Sequence, residues 1–169
     1  MKEWIDLFSM VYEKNKNIRG IIVGDGILKE EILTHLKLRK MEEAILFPGL
    51  QTEVMPWLSA MDIFMMTSEF EGLPIALLEA MSMECVVMST NAGGVGEVIQ
   101  DKKDGFLVGV ADWKELAIPL QQLIQSPQLI KSWGAKARER VIESFSVKKM
   151  TQELEALYRN EILQSINLN

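Results

Sequence analysis

Two carboxylates, Glu71 and Glu79, stand eight positions apart in the run Ser68-Glu69-Phe70-Glu71-Gly72-Leu73-Pro74-Ile75-Ala76-Leu77-Leu78-Glu79-Ala80-Met81. Pro74 predicts a helix start, because the N–H that proline lacks is one that a first helical turn leaves unused. Glu71 then lies on the turn before the helix and Glu79 inside it. From Ile75 to Met81 only Glu79 is polar, so this helix is expected to be buried all round. A carboxylate there costs on the order of several kcal/mol unless it is neutral or well partnered. Such a group is a poor core residue, and it points to a site. Other chemistries lack their residues: His35 is the one histidine and Cys85 the one cysteine, so a classical zinc site is not built here. A lone cysteine also excludes an internal disulfide and fits a reducing, cytoplasmic setting.

The elements that must position the pair alternate between short apolar runs and helical stretches, the pattern of an α/β fold with a parallel sheet. Trp4, Ile5, Phe8 and Val11 are spaced for a helix over residues 3–14. A strand from Ile18 to Val23 ends at Gly24-Asp25-Gly26, and a helix follows near 27–38. Ala44–Phe47 is a second strand closed by Pro48-Gly49, and a short helix near 53–60 leads to a third strand, Ile63–Thr67. After the Glu71 turn and its helix come a strand at Val86–Ser89, a turn at Asn91-Ala92-Gly93-Gly94, a short helix near 95–99 and a strand at 106–108. Asp112 reads as the N-cap of a helix near 112–124, followed by helices near 128–143 and 147–164. Residues 1–127 form the α/β body, and residues 128–169 form C-terminal helices packed on the same domain.

Ligands of open parallel sheets sit beyond the carboxyl ends of the strands. The turns at Gly24, Gly49, Glu71 and Gly93 all fall on that edge, so four loops share one rim. A dinucleotide fingerprint fails on this rim: after Gly24-x-Gly26 the third glycine is replaced by Lys29. No acidic residue ends the next strand, where Phe47 and Pro48 stand.

Net charge is −6 and the sequence pI about 4.9, which argues against a nucleic-acid surface. Residues 1–127 carry 11 basic and 19 acidic groups, and residues 128–169 carry 7 and 5. The weakly basic tail reads first as a mixed solvated helix face and second as a weak peripheral membrane contact. There is no secretory signal and no apolar run long enough to span a bilayer.

Ser68-x-x-Glu71-Gly72-Leu73-Pro74-x-x-x-x-Glu79-Ala80-Met81 is followed by Gly93-Gly94-Val95-x-Glu97-Val98 and by Asp104-Gly105-Phe106-Leu107-Val108. With Ala60-x-Asp62-Ile63-Phe64 and Val23-Gly24-Asp25-Gly26, this series resembles the donor-binding half of group 1 (family 4) glycosyltransferases, in register from Ile21 to Val108. The resemblance implies the Rossmann-like C-terminal half of a two-domain GT-B fold. It also implies a retaining transfer of a hexose from a nucleotide-sugar donor to a glycan or lipid acceptor. Glu71 would contact the donor sugar in catalysis and Glu79 the ribose hydroxyls. Around them, the Gly72-Leu73-Pro74 turn and the N–H groups of Ile75 and Ala76 would meet the diphosphate. Leu50 would lie near the base, Gly24 would allow close approach, and Lys2 would stand where a diphosphate-binding lysine is expected. No cofactor or metal is needed, which suits a sequence without an Asp-x-Asp cluster. A non-catalytic nucleotide-sugar-binding or partner-docking module is the alternative.

Departures from the family pattern fall mostly on turns. Glu84 and Lys102 stand where glycine is usual, Val86 and Gly96 where proline is, and Glu3 replaces a glycine after Lys2. The resemblance also implies an N-terminal acceptor domain and a first central strand that lie outside this chain. The strand would sit between Ile18–Val23 and Ile63–Thr67. The expectation is that these two strands pair directly, or that a neighbouring chain fills the gap and gives a dimer through an exposed sheet edge.

Overall fold

The computed structural model describes the backbone of residues 1–167 and the side chains of residues 1–160. Its elements are α1 (Lys2–Tyr12), β1 (Gly20–Val23), α2 (Lys29–Arg39), β2 (Ile45–Gly49), α3 (Met55–Ser59), β3 (Ile63–Met66) and α4 (Ile75–Ser82). They continue with β4 (Val86–Thr90), α5 (Val95–Val98), β5 (Phe106–Val108), a 3-10 turn (Val110–Leu116), α6 (Ala117–Ile124), α7 (Pro127–Ser144) and α8 (Val147–Asn167). Each strand pairs in parallel with its neighbour. The fold is the expected Rossmann-like α/β class with a helical C-terminal end.

The strands form two sheets, β1-β2 and β3-β4-β5. β1 and β3 do not pair with each other, so the expected direct closure of the gap is not made. All five residues of β4 are buried, whereas all four of β3 are only half-buried. A parallel strand with neighbours on both sides is normally enclosed, and β3 has a partner on one side alone.

Helix α1 ties the two sheets together. Ile5 and Phe8 join Ile22, Leu36 and Ile45 in one core, while Leu7 and Val11 join Val86, Met88, Leu116 and Leu120 in another. The i, i+3, i+4 spacing of these residues is what lets one helix serve both. A third core on the opposite face of β4 holds Val87 with Leu77, Ala80, Met81, Val95 and Ala137. Alternate residues of β4 therefore feed opposite layers, as a pleated strand requires.

Asp112 is not the cap of a long helix. It lies inside the 3-10 turn with φ −100° and ψ 17°, and α6 starts only at Ala117. Pro119 accounts for the late start, because it cannot donate to a carbonyl four residues back. The α-helical ladder can begin no earlier than the turn containing it. Of the two C-terminal helices, α7 packs on α4, β4 and α6, whereas Val147–Asn160 of α8 are exposed. The apolar stripe Val147, Met150, Leu154 and Leu157 lies open on that helix.

Candidate functional site

β3 delivers the chain to the Glu71 turn, and α4 carries it away. Ser68 donates its hydroxyl to Glu71 Oε1 at 2.7 Å, so the carboxylate is oriented by a residue three positions earlier. Thr90, at the end of β4, donates its hydroxyl to the Ser68 carbonyl at 2.6 Å. The Gly93-Gly94 turn closes on the same loop, with the Gly94 N–H donating to the Gly72 carbonyl at 3.1 Å. Gly93 has φ +54°, and a Cβ there would lie 1.8 Å from the Glu71 carbonyl oxygen. Only glycine permits both that dihedral and that approach.

Helix α4 begins one residue later than expected, with Pro74 as its cap. It is not buried all round. Leu77, Ala80 and Met81 are buried, but Ile75 and Ala76 are exposed and Glu79 is half-exposed. A helix crossing one face of a sheet buries only the stripe that meets it, and here the other side opens on the rim. The case for Glu79 as a fully buried carboxylate is therefore corrected. Among the described residues its carboxylate has no hydrogen-bond or ion-pair partner. Glu79 lies three and four positions after Ala76 and Ile75, so the three share a helix face. The N–H groups of Ile75 and Ala76 fall in the first turn, where a helix supplies no acceptor of its own.

Gly24 and Gly49 form a second pair of turns at the ends of β1 and β2. Both have positive φ, +139° and +75°, and nothing lies within 4 Å of where a Cβ would stand. The Gly24 N–H donates to the Gly49 carbonyl at 2.9 Å, and Leu50 just beyond is 73% exposed. These turns are the lip of the β1-β2 sheet, and Glu71, Gly72 and Gly93 are the lip of the other. No hydrogen bond joins the two pairs among the described residues. Lys2 opens α1, and its ammonium pairs with Glu31 in the first turn of α2, the helix that follows the Gly24 turn. Among the described residues no group of three or more His, Cys, Asp or Glu is placed to hold a metal ion.

Ser68 stands inside the Glu71 motif and Thr90 outside every motif of the sequence, and neither carries a role there. A hydroxyl three residues before Glu71 and another at the end of the neighbouring strand were the signals available.

Residues 1–140 match the family model described as glycosyl transferases group 1, and this chain belongs to that family. The chain is 35% identical over 138 residues to N-acetyl-alpha-D-glucosaminyl L-malate synthase of Bacillus anthracis, covering 82% of this chain and 36% of that protein. It is 27% identical over 150 residues to poly(ribitol-phosphate) alpha-N-acetylglucosaminyltransferase of Staphylococcus aureus (strain COL), covering 88% and 30% respectively. The chain thus spans about a third of the length of these curated relatives. A variant of S. aureus TarM, solved with fondaparinux, alpha-GlcNAc-glycerol and UDP, superposes with a TM-score of 0.85 at 25% identity, over 92% of this chain and 32% of that one. The C-terminal domain of LpcC, a glycosyl transferase group 1 family protein from Francisella tularensis, gives a TM-score of 0.77 at 25% identity, covering 86% of this chain and 79% of that one. The parallel sheets and flanking helices are those of the GT-B glycosyltransferases.

Proposed function

We propose that this chain binds the nucleotide-sugar donor of a retaining glycosyltransferase that moves a hexose to a glycan or lipid acceptor without a metal. The observation that carries the reading is the face of α4. There an unpartnered Glu79 shares a helix face with Ile75 and Ala76, whose N–H groups lie in the first turn, one short loop after an oriented Glu71. Ribose hydroxyls are donors that satisfy Glu79. The positive end of α4 suits a diphosphate, and its N–H groups stabilise the charge that develops as the diphosphate leaves with the bonding electrons. Glu71 would read the sugar, Leu50 the base, and the open Gly24 turn would admit the donor. UDP in the TarM complex supports this ligand class.

The acceptor would be bound by protein outside these residues, on the cytoplasmic side, with the basic tail available to a membrane surface. No helix among the described residues is long and apolar enough to cross a membrane. Calorimetry with UDP, GDP and ADP tests the reading. Glu79→Ala is expected to lose about tenfold or more in affinity for whichever nucleotide binds, since a hydrogen bond to a charged group contributes about 1.5–3 kcal/mol. Unchanged affinity would overturn the ribose role.

A further inference from the structure

A chain of hydrogen bonds runs from the enclosed end of β4 to the Glu71 carboxylate. Thr90 is 1% exposed, and its hydroxyl holds the Ser68 carbonyl at 2.6 Å. The Ser68 hydroxyl holds Glu71 Oε1 at 2.7 Å. The first bond fixes the backbone from which Ser68 projects, and the second fixes the rotation of the carboxylate. One carboxylate oxygen is thereby engaged, leaving Oε2 without a protein donor among the described residues. A free glutamate must give up rotamer freedom to meet a ligand. Here that freedom is surrendered before the ligand arrives, which is how preorganisation raises affinity. The anchor is the most enclosed strand of the sheet, as a precise site requires.

We propose that Ser68 and Thr90 are positioning residues that aim Glu71 at the sugar of the donor, so that Oε2 accepts from one sugar hydroxyl. The proposal rests on the reading of Glu71 as the residue that meets the sugar. Ser68 acts through Glu71 and Thr90 acts through Ser68. Neither is expected to touch the nucleotide.

The test is calorimetry of UDP and of UDP-N-acetylglucosamine with the chain and with Ser68→Ala, Ser68→Thr, Glu71→Gln and the Ser68→Ala/Glu71→Gln double variant. Ser68→Ala is expected to keep UDP affinity within about twofold and to weaken UDP-N-acetylglucosamine about tenfold. Ser68→Thr keeps the hydroxyl and is expected to restore binding. In the Glu71→Gln background, Ser68→Ala is expected to add no further loss, because the two act as a unit. Thr90→Val is expected to show the same split between the two ligands, with Thr90→Ser restoring it. Loss of both ligands alike in Ser68→Ala, or a full additive loss in the double variant, would show a merely structural role and overturn the proposal. A loss in Glu71→Gln with none in Ser68→Ala would overturn the relay alone. Unchanged UDP-N-acetylglucosamine binding in Glu71→Gln would overturn the reading of Glu71 and the relay with it.

Discussion

Replacing Gly93 by alanine sets two separate costs on one atom. At φ +54° a residue with a Cβ is strained by about 1–2 kcal/mol. The added carbon would also stand 1.8 Å from the Glu71 carbonyl oxygen and 2.9 Å from its carbon. Both are backbone atoms, so no side chain can rotate away, and the loop itself must move. Overpacking of that kind costs about 1–3 kcal/mol, which brings the expected loss to about 2–5 kcal/mol. The displaced loop is the one that carries Glu71, and the Gly94 to Gly72 hydrogen bond at 3.1 Å would be pulled apart with it. Gly72→Ala is the control, since a Cβ at that position meets nothing within 4 Å. It is expected to shift stability by no more than about 0.5 kcal/mol. Urea denaturation of the three proteins gives the comparison, with UDP-N-acetylglucosamine binding as the functional readout. If Gly93→Ala unfolds at the same urea concentration as Gly72→Ala, the loops are not in contact as described and the reasoning fails.

Glu84 holds φ +63° without being glycine, so Glu84→Gly is expected to gain about 1 kcal/mol in chemical denaturation. Its pair with Arg138, 3.9 Å apart and half-exposed on both sides, contributes little. Burial pushes the Cys85 thiol up to about 11, and its Sγ donates to the carbonyls of Leu58 and Met61. The folded chain is therefore expected to resist a thiol reagent at neutral pH and to react once denatured. Burial alone would raise the Asp6 carboxyl, but hydrogen bonds from Arg39 and His35 outweigh it and hold the group below the usual aspartate range. Because its folded value is the lower one, its contribution is complete above about pH 4 and is lost as pH falls through the folded value. Asp6→Asn should thus lower stability at pH 7 by about 1–3 kcal/mol and converge with the parent chain in acid, which denaturation across pH would measure.

The strands and helices of the body were legible because their periods are strong: Ile63 to Met66 is uniformly apolar, and Trp4, Ile5, Phe8 and Val11 repeat at helical spacing. Boundaries moved where local chemistry was misread, as at Asp112, where Pro119 seven residues later decides where α6 starts. Glu79 shows the limit of periodicity. An apolar helix reads as buried everywhere, yet which of its sides meets the sheet and which opens on the rim depends on elements far away in the chain. The positive φ of Glu84 and Lys102 was visible only indirectly, as side chains occupying positions where related sequences carry glycine. The link from Thr90 to Ser68 spans 22 positions and could not be read along the chain, since nothing local says which carbonyl a strand-end hydroxyl will find.

Helix α1 acts as an axle. Phe8 and Leu7 are adjacent in the chain, yet one seals the β1-β2 core and the other the core under β4. Within these residues the two sheets share no ladder, and α1 is packed against both the core of the Gly24–Gly49 lip and the core under β4. A few degrees of roll about α1 would open or narrow the span offered to a ligand lying across both lips. The same arrangement makes two exchange units of the molecule. The amides of β1 and β2 should lose protection from hydrogen exchange before those of β4, and fraying of α1 should deprotect both together.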